Sequence, residues 1–122
     1  MSNSLRGEAP LVAGGETFTL VYDVNAFVEI EANTGLGFGA LIATIQGDPS
    51  FTLLRQIICA GLQEKHPGTT LKDAGRIMSA AGLTELTRGL RDAMKAALPE
   101  VRDDSGNPPN RRTRRAKAAG TG

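Results

Sequence analysis

Asp48-Pro49-Ser50-Phe51-Thr52-Leu53-Leu54-Arg55-Gln56-Ile57-Ile58-Cys59-Ala60-Gly61-Leu62-Gln63-Glu64-Lys65 is the stretch that decides the fold. Its residues Leu53, Leu54, Ile57, Ile58 and Leu62 recur at three- and four-residue spacing. That is the period of a helix burying one face. Asp48-Pro49 reads as the start, a capping carboxylate and then a proline whose missing N–H costs nothing in the first turn. His66-Pro67-Gly68 stops the helix after about Lys65. No other segment is as apolar, so this helix is the candidate centre of the core.

Helical spacing continues on both sides. Thr69 or Thr70 caps a following helix, with Asp73 favouring the positive end of the dipole and Leu71, Ala74, Ile77 and Met78 as its buried stripe. Gly82 ends it. A last helix, from about Leu83 to Leu98, carries Leu83, Leu86, Leu90, Ala93, Met94 and Ala97 on one face and Arg88, Arg91 and Lys95 on its wetter side. Upstream, Asp23 is a helix cap, and the next run aligns Val24, Phe27, Val28 and Ile30 before Gly35. A shorter segment from Phe38 to Ile45 has Leu41, Ile42 and Ile45 at helical spacing. Gly35, Gly37 and Gly39 make the junction between these two either flexible or tightly packed.

The first residues read differently. Thr17-Phe18-Thr19-Leu20-Val21-Tyr22 alternates, with Phe18, Leu20 and Tyr22 on one face. Leu11-Val12 precedes it, and Gly14-Gly15 supplies the positive φ angles of a tight hairpin turn. Pro10 donates no hydrogen bond and marks an edge or bulge in the first arm. A lone hairpin is marginal, so the helices must cover its apolar face. The expected fold is therefore α+β and mostly α: an N-terminal β-hairpin packed on about five short helices over residues 1–101. Residues 102–122 lose apolar periodicity and read as a disordered basic tail.

Composition agrees with helix-on-helix packing. Aromatic residues are confined to Phe18, Phe27, Phe38, Phe51 and Tyr22, so the core must be built from aliphatic side chains. The net charge of +1 conceals an asymmetry. Residues 1–101 hold 8 Lys/Arg and 11 Asp/Glu, whereas residues 102–122 hold 6 and 2. No apolar run approaches the ~20 residues needed to span a bilayer, and the opening Met1-Ser2-Asn3-Ser4 has no signal-peptide pattern. The expectation is a cytoplasmic protein without a membrane partner.

Catalytic chemistry has little to stand on. The single Cys59 allows no intrachain disulfide and lies in an apolar run, where it reads as a small buried hydrophobe. With one histidine, His66, and one cysteine, no Cys/His zinc site forms within a chain. His66 at a helix end reads as a complement to the dipole. Glu29 and Glu31 diverge on a helix, and Glu85 and Asp92, seven apart, read as solvated surface. Gly35-Leu36-Gly37-Phe38-Gly39 lacks the Gly-Lys-Ser/Thr ending of a phosphate loop. No enzyme activity, metal or cofactor is expected. The candidates are surface residues: Phe27, Glu29 and Glu31 in the first helix, and Arg88, Arg91 and Lys95 in the last. For each, a core or solvated role is the plain alternative. Arg111, Arg112, Arg114, Arg115 and Lys117 are candidate tail contacts. No aromatics interleave with them to stack on bases, which disfavours nucleic acid as a partner.

The ordered set Asn3-Ser4-Leu5-Arg6-Gly7-Glu8, Gly14-Gly15, Phe18-Thr19-Leu20 and Ala26-Phe27-Val28-Glu29-Ile30-Glu31 resembles the N-terminus of the gene transfer agent family of tail proteins. Cys59-Ala60-Gly61-Leu62, Thr70-Leu71, Gly82-Leu83 and Ala96-Ala97-Leu98-Pro99-Glu100 extend the resemblance over about residues 3–100. Specificity lies in the order, not in any one motif. Pro10 and the arginine-rich tail depart from the pattern. The resemblance implies a tail assembly chaperone, a small helical protein that coats the tape measure protein before the tail tube polymerises. It implies the tape measure and tail tube proteins as partners, self-association as an option, and absence from the finished particle. Some members are labelled tube proteins, but a tube ring needs extended strands and only the first ~22 residues read as β. The rival readings are a structural tail component retained in the particle and a nucleic-acid-binding accessory protein acting through residues 111–117.

Overall fold

In the computed structural model, residues 5–98 are described; the expected boundary at residue 101 and the basic cluster at 111–117 lie outside them. β1 (Arg6–Ala13) and β2 (Glu16–Asp23) form a two-stranded antiparallel hairpin. Gly14 (φ 61°) and Gly15 (φ 83°) both adopt positive φ, as a two-residue turn matched to strand twist requires. The register runs unbroken from Ala13↔Glu16 to Arg6↔Asp23. Gly7, Ala9, Leu11 and Ala13 face inward on β1, and Leu20 and Tyr22 on β2, with Phe18 half-buried. Val21 lies on the other face and is buried too.

Pro10 does not interrupt β1; it pairs with Thr19 and no bulge forms. The Thr19 N–H donates away from β1, to His66 Nε2 at 3.1 Å. This is therefore a pair that exchanges no ladder hydrogen bonds, and a proline loses none there.

Among the described residues five helices follow: α1 (Val24–Thr34), α2 (Phe38–Gln46), α3 (Phe51–Leu62), α4 (Leu71–Ala81) and α5 (Leu83–Ala97). The chain is α+β and mostly α. Asp23 ends β2 and also caps α1, its Oδ1 accepting from the Ala26 N–H at 3.0 Å. With no loop between strand and helix, the strand fixes the rotation of α1. Ala26 and Ile30 point inward, while Val24 and Val28 of the expected stripe are each 56% exposed. Thr70 and Asp73 cap α4 reciprocally, through Asp73 N–H to Thr70 Oγ1 (3.0 Å) and Thr70 N–H to Asp73 Oδ2 (3.2 Å), an arrangement that satisfies two orphan donors.

Two boundaries differ from expectation. Ser50, not Asp48, caps α3, because its Oγ accepts from the Leu53 N–H at 3.0 Å and sets the first turn at Phe51. The helix ends at Leu62, not at Lys65. Leu83, assigned to the buried face of α5, is 58% exposed because the helix begins there, beyond the edge of the core.

The core lies between the hairpin's inner face and helices α3 and α5. Leu53, Leu54, Ile57, Ile58 and Leu62 are all buried, as are Leu86, Leu90, Ala93, Met94 and Ala97. Close approach depends on glycine. Gly7 lies against the α5 backbone at Ala93 and Ala97, where a Cβ has no room. Gly89 faces Leu11 and the Pro10 carbonyl, and Gly61 faces the Tyr22 ring.

Candidate protein-docking surface

The strand edges show how the fold disposes of its own hydrogen-bonding groups. Arg88 donates to the Pro10 carbonyl (2.8 Å), to both oxygens of Glu85 (3.0 and 2.6 Å) and to Asp92 (2.8 Å). Glu85 in turn accepts from the Val12 N–H at 2.9 Å. The carboxylate is held at a pKa of about 2, mainly by the Arg88 guanidinium and then by the Val12 amide. Arg88 therefore serves inside the fold, sealing the outer edge of β1. On the other edge, His66 accepts from Thr19 and its ring lies 5.2 Å from that of Phe18. Both outer edges of the hairpin thus meet side chains that blunt pairing with another strand.

Cys59 is half-buried, its Sγ 3.4 Å from the Thr69 carbonyl oxygen. Burial pushes its thiol pKa up, which disfavours the thiolate needed for nucleophilic chemistry. Tyr22 is fully buried, and desolvation raises its pKa well above the usual value. Among the described residues, no group of three His, Cys, Asp or Glu is placed to hold a metal ion. No helix among them is long and apolar enough to cross a membrane.

The remaining candidates are scattered differently from their order in sequence. Phe27 is half-buried, with ring centroids 6.0 Å from Tyr22 and 6.4 Å from Phe38, the latter edge-on. Glu29 and Glu31 are exposed, and Glu29 accepts from Asn33 at 3.3 Å. Arg91 and Lys95 are exposed and come together one turn apart on α5.

Those two cations border a groove of about 230 Å³ between α2 and α5. Its apolar lining comes from Ile42, Ile45 and Pro49 on one side and from Leu54, Leu90, Met94 and Leu98 on the other. Helix α2 is the unusual element. Its nine residues, Phe38-Gly39-Ala40-Leu41-Ile42-Ala43-Thr44-Ile45-Gln46, carry no charge, yet only Leu41 is buried. Phe38 is 52% exposed, and Ile42 and Ile45 are half-buried. A helix this apolar normally lies inside a protein. A second groove, of about 470 Å³, lies where α3, α4 and α5 meet and is lined by Phe51, Met78, Leu83 and Leu86, with Arg55 beside them. Phe51 there is 70% exposed. Helical spacing groups Leu41, Ile42 and Ile45 on α2 and gives no role to Phe51. The signal pointing to α2 was compositional: nine consecutive residues without a charge.

A scan against protein-family models, a search of curated proteins and a search of solved structures each found no match to this chain.

Proposed function

We propose that this protein is a phage-type tail assembly chaperone that holds the tape measure protein and helps recruit tail tube subunits. The observation that carries the reading is helix α2, uncharged along its length and largely uncovered beside an apolar groove. Apolar surface of this kind serves association with another polypeptide. The tape measure protein is long and must be kept from aggregating until the tube encloses it, so a holding partner with uncovered helical surface suits the task. The resemblance of residues 3–100 to gene transfer agent tail proteins supplies the identity of that partner. The basic cluster Arg111, Arg112, Arg114, Arg115 and Lys117 is assigned to tube-subunit recruitment.

Co-expression with the tape measure protein of the same gene cluster tests the reading. Co-purification and increased tape measure solubility are the expected results. Absence of both would sink it. Mass spectrometry of purified particles separates a chaperone, absent from them, from a structural component, abundant in them.

A further inference from the structure

We infer that the groove between α2 and α5 takes an amphipathic helix of a partner protein, with carboxylates about one turn apart flanking its apolar stripe. The inference rests on the reading of this surface as the docking face. Two observations fix the chemistry of the occupant. The floor is apolar, and among the described residues the only charged ones lining the groove are Arg91 and Lys95. Among the described residues, neither forms an ion pair, whereas Arg6, Arg76 and Arg88 all do. The setting makes this sign notable, since residues 1–101 carry more acids than bases. A groove whose charged lining is solely basic reverses the sign of the body around it.

Shape agrees with charge. From Leu90 to Leu98 the α5 side of the groove extends roughly 12 Å, about two helical turns. An occupant helix laid along that side presents its anchors one turn apart, facing Ile42 and Ile45 of α2. Arg91 and Lys95 are themselves spaced one turn apart, so carboxylates spaced i,i+4 on the occupant meet both. The chain's own continuation is the competing occupant. It follows Leu98 directly, and its nearest charges are Glu100, Arg102, Asp103 and Asp104, ahead of the basic cluster at 111–117; a glutamate peptide that binds more tightly once residues 99–122 are removed would give the groove to that segment and overturn the inference.

The test uses the full chain and two synthetic peptides of about 16 residues, long enough to overrun the groove. Both carry leucines at helical spacing; one has flanking glutamates and its twin has lysines in their place. At low ionic strength the glutamate peptide is expected to bind at least about fivefold more tightly, the scale of two exposed ion pairs. That preference shrinks as salt is raised. Arg91→Glu with Lys95→Glu reverses the preference at a small cost in melting temperature, because Lys95 lies in the last turn of α5, while Ile42→Asp weakens both peptides. Equal binding of the two peptides, or a preference that survives the double charge reversal, overturns the inference. So does concentration-dependent self-association that the double reversal abolishes and that excess peptide displaces, because the occupant is then a second copy. If the preference fails yet the tape measure protein still co-purifies, the charge assignment falls and the chaperone reading stands. If the preference holds and the tape measure protein does not co-purify, the groove chemistry stands and the chaperone reading falls.

Discussion

The Tyr22 ring lies against Gly61: a Cβ built on that glycine would sit 2.5 Å from the ring and its hydroxyl oxygen. The same hydroxyl donates to the Ile57 carbonyl at 2.8 Å in a fully buried position. One residue of the hairpin and one turn of α3 are thus fitted by shape and by a hydrogen bond. Gly61→Ala should improve helix propensity by up to ~1 kcal/mol. The ring has no solvent side to move towards, so overpacking of about 1–3 kcal/mol is expected to win. Tyr22→Phe keeps the ring and removes the donor, at a cost of about 1 kcal/mol. Urea unfolding of both variants measures these losses; a Gly61→Ala protein more stable than wild type would show that the helix and strand are not in this contact.

Glu85 gives a pH signature. Its carboxyl pKa is lowered to about 2 in the folded protein, from 4.5, through Arg88 and the Val12 amide. In that interval the unfolded chain binds the proton and the folded protein does not. The stabilisation is therefore fully present above about pH 4.5 and is lost as pH falls towards 2. Glu85→Gln should be less stable than wild type at pH 7, with the gap closing on acidification. Denaturant midpoints at pH 7, 4 and 2.5 check this, and a gap independent of pH would remove the carboxylate from the account.

Gly14 and Gly15 hold the turn with φ of 61° and 83°. Alanine at either position should cost roughly 1–2 kcal/mol, because a Cβ disfavours the left-handed region. Asparagine, which tolerates that region, should cost less. Thermal melts of the four single variants give the ranking.

Much of this architecture was legible before any coordinates. The Gly-Gly turn, the Asp23 cap and most of the buried faces of α3 and α5 follow from short-range chemistry, in which the needed residues are sequence neighbours; for α4 the sequence left Thr69 and Thr70 both open as caps and gave Asp73 a dipole role, without its return bond to the Thr70 N–H. What was not legible depended on distant partners. Arg88 looked like solvated charge because Pro10, whose carbonyl it binds, is 78 residues away. The rotation of α1, which leaves Val24 and Val28 exposed, was set by its direct exit from β2. Apolar spacing grouped Leu41, Ile42 and Ile45, but spacing cannot tell a face covered by this chain from one left for another. Of the surface candidates, Arg91 and Lys95 meet at the apolar groove between α2 and α5.

Stability and binding should separate on α2. Leu41 is 2% exposed, so Leu41→Ala should cost about 2–4 kcal/mol by leaving a cavity. Phe38→Ser removes a ring that is half in water and should cost well under that. Equilibrium unfolding distinguishes the two, and equal losses would place Phe38 in the core.

The most direct measurement is the amount of tape measure protein remaining in the supernatant when it is co-expressed with wild type or with an Ile42→Asp, Ile45→Asp variant of matched melting temperature. The α2 surface as a docking face requires that wild type keep it soluble and that the variant let it sediment. Equal solubility with both proteins would mean that α2 is not the surface by which this protein binds.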